Sequence, residues 1–155
     1  MNITVNLAAF RAELERGAEA LMSGMERGVA EAAAQVERAA KQNLKGDARG
    51  EHLMKSIHSE VQMYYDFCVG RVGVGGATGI DGEAGENFGI YVHEGTGIYS
   101  RTGMGRKDVP WFYKDDWEQG HITSGMHANP FLEDAYNETA PRVAQIIAGK
   151  LTGGG

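Results

Sequence analysis

Between Leu7 and Leu44 the apolar residues return every three or four positions, as Leu7, Phe10, Leu14, Ala18, Leu21, Met25, Val29, Ala33, Val36, Ala40 and Leu44. That spacing keeps them on one face of an α-helix. At 1.5 Å per residue the segment would run roughly 57 Å if unbroken, more than a compact domain of this size needs for its own core. Part of the helix is therefore expected to serve a neighbour. Gly17, Gly24 and Gly28 sit inside the pattern, each costing about 1 kcal/mol relative to Ala, which allows a bend or a break into two helices. The Gly24-x-x-x-Gly28 spacing reads as close packing or a hinge, because Glu26 and Arg27 remove the membrane context in which it is otherwise met.

After this helix the segment Lys45 to His52 reads as a turn, and Leu53, Met54 and Ile57 restart an apolar pattern. Val61, Met63, Tyr65 and Phe67 then alternate with polar residues and are followed by a Val-rich run from Cys68 to Val74. These predict two strands of one antiparallel sheet, or one long bent strand. The stretch from Gly73 to Gly89, carrying Asp81, Glu83 and Glu86, is expected to be a mobile loop. A last helix is expected from Asn129 as N-cap and Pro130 as first helical residue, with Glu133 and Asp134 against the positive end of its dipole. Pro141 should kink or split it. The sum is an α+β domain: a long N-terminal helix and a kinked C-terminal helix packed on a small antiparallel sheet, with a long mid-chain loop. Residues 1–152 read as this one domain, and Gly153 to Gly155 as a flexible tail.

Composition narrows the function. A formal charge of −6 and a pI near 5.3 argue against a broad phosphate-gripping face. Cys68 stands alone and reads as a small apolar side chain in a reducing compartment. The opening MNITVNLAAF has neither a basic nor an apolar leader region, so no secretion signal and no membrane span are expected.

The chemical motifs are incomplete. His93-Glu94 would begin a zinc-protease helix only with a second His at 97, where Gly97 stands. His93, His121 and His127 could still supply three nitrogens to zinc, with Glu94 as base. The glycines near 70–79 miss both the dinucleotide and Walker spacings. Asn137-Glu138-Thr139 is a formal glycosylation sequon inside a predicted helix. Ser100 and Ser124 lack the surroundings of a nucleophile. From Gly97 to Gly125 runs a long loop in which Arg101, Arg106 and Lys107 interleave with Tyr99, Trp111, Phe112 and Tyr113. That composition suits base stacking and phosphates, a protein-binding hot spot, or aromatics folded into the domain's own core. The net negative chain favours protein over nucleic acid.

Three separated segments resemble one family. Gly50-Glu51-His52-Leu53-Met54-Lys55-Ser56-Ile57 is similar to a G-x-L-x-x-S-I segment, one residue longer between Gly and Leu. Tyr91 to Thr96 resembles a Y-x-x-x-E-x-G-T block in a shorter register. Ala128 to Ala135 resembles the A-x-P-F-L-x-x-A start of a final helix. The family is the tail-completion and tail-component proteins of long-tailed bacteriophages, and the resemblance covers roughly residues 7 to 150. It implies a non-enzymatic virion protein without cofactor or metal, assembled in the host cytoplasm. Such a protein forms a ring, typically of six copies, that caps the tail tube and docks it to the head connector while DNA passes through unbound. Glu94, Gly95 and Thr96 would then be a structural turn, with the Glu94 carboxylate accepting backbone N–H bonds and the Thr96 hydroxyl closing it. Together with Tyr99, Arg101, Arg106, Lys107, Trp111, Phe112 and Tyr113 it would form an inter-subunit or tail-tube interface. Asp81, Glu83 and Glu86 would line the channel, where a basic wall would hold phosphates. The alternatives are a connector or stopper ring nearer the head, a metal-dependent hydrolase built on His93, Glu94, His121 and His127, and a nucleic-acid-binding accessory protein using the basic loop.

Overall fold

The computed structural model describes residues 6–47, 50–75, 82–114 and 118–152, with residues 51–52 and 82–87 described by their backbone alone. The expected glycine tail lies outside these residues. The apolar period from Leu7 becomes one unbroken helix, α1 (Leu7–Asn43), started by Asn6, whose Oδ1 accepts from the Ala9 N–H at 3.1 Å. The glycines do not break it. Gly24 and Gly28 are instead where α4 (Phe131–Thr152) approaches most closely. A Cβ on Gly28 would lie 2.9 Å from the Ile147 Cα, and one on Gly24 would lie 3.1 Å from the Lys150 carbonyl oxygen. The two helices are antiparallel, because at the other end Asn43 Nδ2 donates to the Phe131 carbonyl at 3.3 Å.

The expected turn from Lys45 to His52 is shorter than its composition implied. Gly46 takes a positive φ of 85°, and a short helix, α2 (Gly50–Ser56), begins with the Gly50 N–H on the Asp47 carbonyl. The buried Ser56 hydroxyl donates back to the Leu53 carbonyl at 2.9 Å, so its polarity is satisfied within the helix. Strands β1 (Ile57–Met63) and β2 (Cys68–Val74) form the expected antiparallel pair, in register from Ile57 opposite Val74 to Met63 opposite Cys68. The sheet lies on α1. Gly70 permits this, since a Cβ there would meet Val29 Cγ1 at 2.9 Å. Glu37 of α1 ties the two layers, accepting from the Ser59 hydroxyl at 2.6 Å while pairing with Lys41 at 2.5 Å.

The structure corrects three expectations. The segment expected to be a mobile loop up to Gly89 is, from Gly82, a helix, α3 (Gly82–Glu94). Its C-terminal half is held by burial of Val92 and by Gly89, where a Cβ would meet Val74 Cγ1 at 2.9 Å. Tertiary contact overrides the low helix propensity of its glycines. Of the kink or split expected at Pro141, the split does not occur: α4 runs continuously past it. Asn129 does not cap α4 either. Its side-chain amide donates to the Asn43 carbonyl and to Asp47, while the Pro130 carbonyl takes the first helical bond from Asp134.

All four helices and β1 meet in one core of Ala40, Leu44, Leu53, Ile57, Val92, Phe131 and Ala135, each almost wholly buried, with Phe88 and Val72 packed against it. A second small sheet, β3 (Trp111–Lys114) with β4 (Gly120–Thr123), stands apart. No helix among the described residues is long and apolar enough to cross a membrane.

The two classes of helical glycine separate by mutation. Gly28→Ala should destabilise by about 1–3 kcal/mol, because the methyl forces α1 from α4 by more than helix propensity returns. Gly17 has nothing within 4 Å of its Cβ position, so Gly17→Ala should stabilise by about 0.5–1 kcal/mol; thermal melts of the two variants test the sign. Burial raises the Glu37 pKa, but the bonds from Lys41 and Ser59 outweigh it and hold the carboxyl below its ordinary value of 4.5. A depressed carboxylate contributes stability that is complete above its unfolded value and is lost as pH falls through the folded one. The difference in melting temperature between wild type and Glu37→Gln should therefore be constant above pH 4.5 and close below it.

Candidate functional site

The residues expected to carry function gather around one excursion of the chain. It leaves the body after α3, passes through a 3-10 turn (Gly97–Tyr99) and the β3–β4 hairpin, and returns before α4. Its neck is closed by two crossing strands of backbone. The Thr96 N–H donates to the Met126 carbonyl at 2.8 Å, the Met126 N–H returns to the Thr96 carbonyl at 3.2 Å, and the Ile98 N–H reaches the Ser124 carbonyl at 3.2 Å. Glycine makes the crossing possible. Gly95, Gly97 and Gly125 have φ of 74°, 60° and 118°, values that L side chains rarely adopt. A Cβ on Gly95 would lie 2.7 Å from the Tyr99 carbonyl oxygen, and Cβ atoms on Gly97 and Gly125 would collide with the Ser124 and Thr96 carbonyls.

Glu94, Gly95 and Thr96 are thus the internal joint of this neck. The Thr96 hydroxyl takes a bond from the Met126 N–H at 3.0 Å, as a turn-closing role requires. The expected part for the Glu94 carboxylate is corrected: its main-chain carbonyl accepts the Arg101 N–H at 2.9 Å, while the carboxylate pairs with His93 Nδ1 at 2.9 Å. Gly95 is buried, so it supports a surface and does not form one.

The histidines part company. His93 sets its ring edge against Phe131 with centroids 5.5 Å apart, His127 lies on Tyr99 at 3.8 Å, and His121 stacks on Tyr113 at 5.1 Å. No group of three His, Cys, Asp or Glu side chains that could hold a metal occurs among the described residues. His93 and Glu94 do line a hollow of about 380 Å³, with Val74, Ile90 and Leu132 as its apolar walls.

The basic side chains are largely committed. Arg101 reaches across to Glu133 in the first turn of α4 at 2.7 Å, bracing the excursion against the body. Arg106 grips Asp108 through two bonds of 2.8 and 2.7 Å and lies 5.3 Å from the centre of the Trp111 ring. The Asp108 carboxyl is held below the usual range, chiefly by the Arg106 hydrogen bonds. Lys107 is exposed. Between the end of α3 and this loop lies a depression of about 330 Å³ lined by Ile90, Tyr91, Glu94, Thr96, Arg106 and Trp111 among others.

The hairpin supplies what reading by residue type missed. Phe112 faces Ile122 across the strands and both are exposed, as are Ile98 and Met104 earlier in the excursion. Tyr113 opposite His121 forms the neighbouring cross-strand pair. The aromatic run Trp111-Phe112-Tyr113 and the alternation His121-Ile122-Thr123, on either side of a polar stretch of sequence, were the signal for two strands. Of the expected channel residues, Asp81 lies outside the described residues; Glu83 and Glu86 lie on α3, with their side chains outside them. No protein-family model, curated protein or solved structure matches this chain.

The neck is the part most sensitive to a single methyl. Gly97→Ala combines a left-handed backbone penalty of about 1–2 kcal/mol with a backbone collision. It should lower the melting temperature and make the bonds after Arg101, Arg106 and Lys107 cleavable by trypsin under conditions where the wild-type excursion resists.

Proposed function

We propose that the chain is a structural subunit of a long-tailed bacteriophage virion, forming a ring of about six copies at the head–tail junction that completes the tail and joins it to the head connector. The observation that carries this reading is the distribution of apolar surface. Among the described residues nine hydrophobic side chains are fully buried and eighteen large ones are exposed; apolar surface that gathers into patches marks interaction sites. Eleven of them fall into two separate regions, the first half of α1 and the excursion with its β3–β4 hairpin; the others lie between β1 and β2 (Tyr64, Tyr65, Phe67), on α3 (Ile90, Tyr91) and on α4 (Tyr136, Leu151). A ring closed by rotation uses different patches on the two sides of each contact, and a subunit for it must carry at least two.

The resemblance gains support from what its three segments do. The Gly50-to-Ile57 segment supplies Leu53 and Ile57 to the core, the Tyr91-to-Thr96 segment supplies Val92, and the Ala128-to-Ala135 segment supplies Phe131 and Ala135. Segments far apart in the chain thus build a single core, which accounts physically for their occurring together. In this reading the excursion is the docking surface toward a neighbouring subunit or the tail tube. Its arginines are neutralised by Glu133 and Asp108, so Phe112, Ile122, Ile98 and Met104 provide the adhesion. DNA passes the ring unbound.

Electron microscopy of a lysate from the parent phage or prophage lacking this gene tests the assignment. Filled heads and separate tails should accumulate; intact infectious virions would overturn it. Complementation refines the test. The paired change Phe112→Asp with Ile122→Asp alters exposed positions and should leave the melting temperature within a few degrees of wild type, yet fail to restore joined particles.

A further inference from the structure

The β1–β2 sheet has an unused edge. At its turn the Tyr64 N–H donates to the Phe67 carbonyl, and at its other end the Gly75 N–H donates to the Ser56 carbonyl. With the register fixed between them, Gln62 opposite Val69 and Glu60 opposite Arg71 are the pairs that exchange ladder hydrogen bonds. The N–H and C=O groups of Gly70 and Val72 therefore point the other way, away from β1. Neither residue has a main-chain partner on that side among the described residues.

That edge runs beside a trough of about 330 Å³. Val29 and Val36 of α1 form its floor, with Gly70 and Val72 on one side and Tyr136 and Val143 of α4 on the other. No charged side chain is among the described residues that line it. A strand edge beside an apolar trough is suited to an extended segment, which main-chain bonds hold while the trough receives alternate side chains. A helix cannot use the edge, because its own N–H and C=O groups are already bonded to each other.

We infer that the segment is the β3–β4 hairpin of a second copy, added to β2 as a continuation of the sheet. An entering strand must turn an apolar face down to α1 and α4. The β1–β2 sheet of another copy cannot do so: one face lies on its own α1 at Gly70, and the other carries Glu60 and Arg71. The hairpin can. Phe112 and Ile122 stand opposite each other, so they share one face, and they are 61% and 76% exposed. The Phe112 ring lies across Gly120, where a Cβ would meet it at 2.6 Å. Lys114 on the same face is paired with Glu118 at 2.9 Å. Within one chain the two sheets are separate, and the bonds between Thr96 and Met126 fix where the hairpin stands. The strand therefore comes from a neighbour.

Hairpin and trough are different surfaces of the same chain. Each subunit gives a strand to one neighbour and takes one from the other, a head-to-tail contact that closes into a ring when the rotation between subunits allows. The inference deepens the ring reading and rests on it for that closure, whereas the pairing of hairpin with trough is tested on the purified protein.

Two readouts test it. In a Cys68→Ser background, chains carrying Ile122→Cys and chains carrying Tyr136→Cys, distinguished by size tags, are mixed at about 1 mM and treated with a short bis-maleimide. The mixed 122-to-136 product should exceed either self-product. Predominant 122-to-122 product, or no product, would overturn the proposal. Amide hydrogen exchange reads the main chain. Between dilute and ~1 mM protein the Gly70 and Val72 amides should slow roughly tenfold, while those of Val69 and Arg71, already bonded to β1, should not change. Cross-linking without that slowing would mean side-chain contact with no added strand, and it too would overturn the proposal. Ile122→Asp, at an exposed position, should abolish both effects. If both readouts fail while loss of the gene still separates heads from tails, the junction assignment stands and this contact does not. If both succeed while virions form without the gene, the contact stands and the assignment does not.

Discussion

The absence of a side chain at Gly28, beneath Ile147, is the constraint on which the rest of the structure depends. With no Cβ at Gly24 and Gly28, α4 settles directly on the α1 backbone and is held along it until Phe131 stands over the end of α1. Phe131 then closes a core on Leu44, Leu53, Ile57 and Val92. Val92 in turn fixes the last turn of α3, where its carbonyl receives the Asn129 N–H at 2.8 Å. The neck of the excursion follows three residues later, so its geometry descends from helix packing at the far end of the molecule.

The sequence shows the elements whose period is long and leaves obscure those that depend on a partner. The apolar repeat of α1 repeats often enough to identify a helix despite three internal glycines. The Val-rich run and its alternating predecessor identify β1 and β2. The helix α3 was hidden because Gly82, Gly85 and Gly89 lower its intrinsic propensity within 13 residues; burial of Val92 and contact of Gly89 with Val74 hold its C-terminal half. Asn129 has the right chemistry for a cap and the wrong neighbours, because Asn43 and Asp47 lie within reach of its amide. The site was legible in part. Glu94, Gly95 and Thr96 stood out as a turn, but their partners Ser124, Gly125 and Met126 lie about thirty residues away and carry no local mark.

The excursion joins a rigid base to an apolar tip. At the neck, three backbone bonds, two of them reciprocal between Thr96 and Met126, and three left-handed glycines leave little freedom, and Arg101 adds a brace to Glu133. At the tip, Phe112 and Ile122 face each other in the open. A preformed apolar surface docks with less loss of conformational entropy than a loose one. Charge acts in the same direction: Arg101 and Arg106 pair with Glu133 and Asp108 of their own chain, which leaves apolar side chains as the open part of this surface.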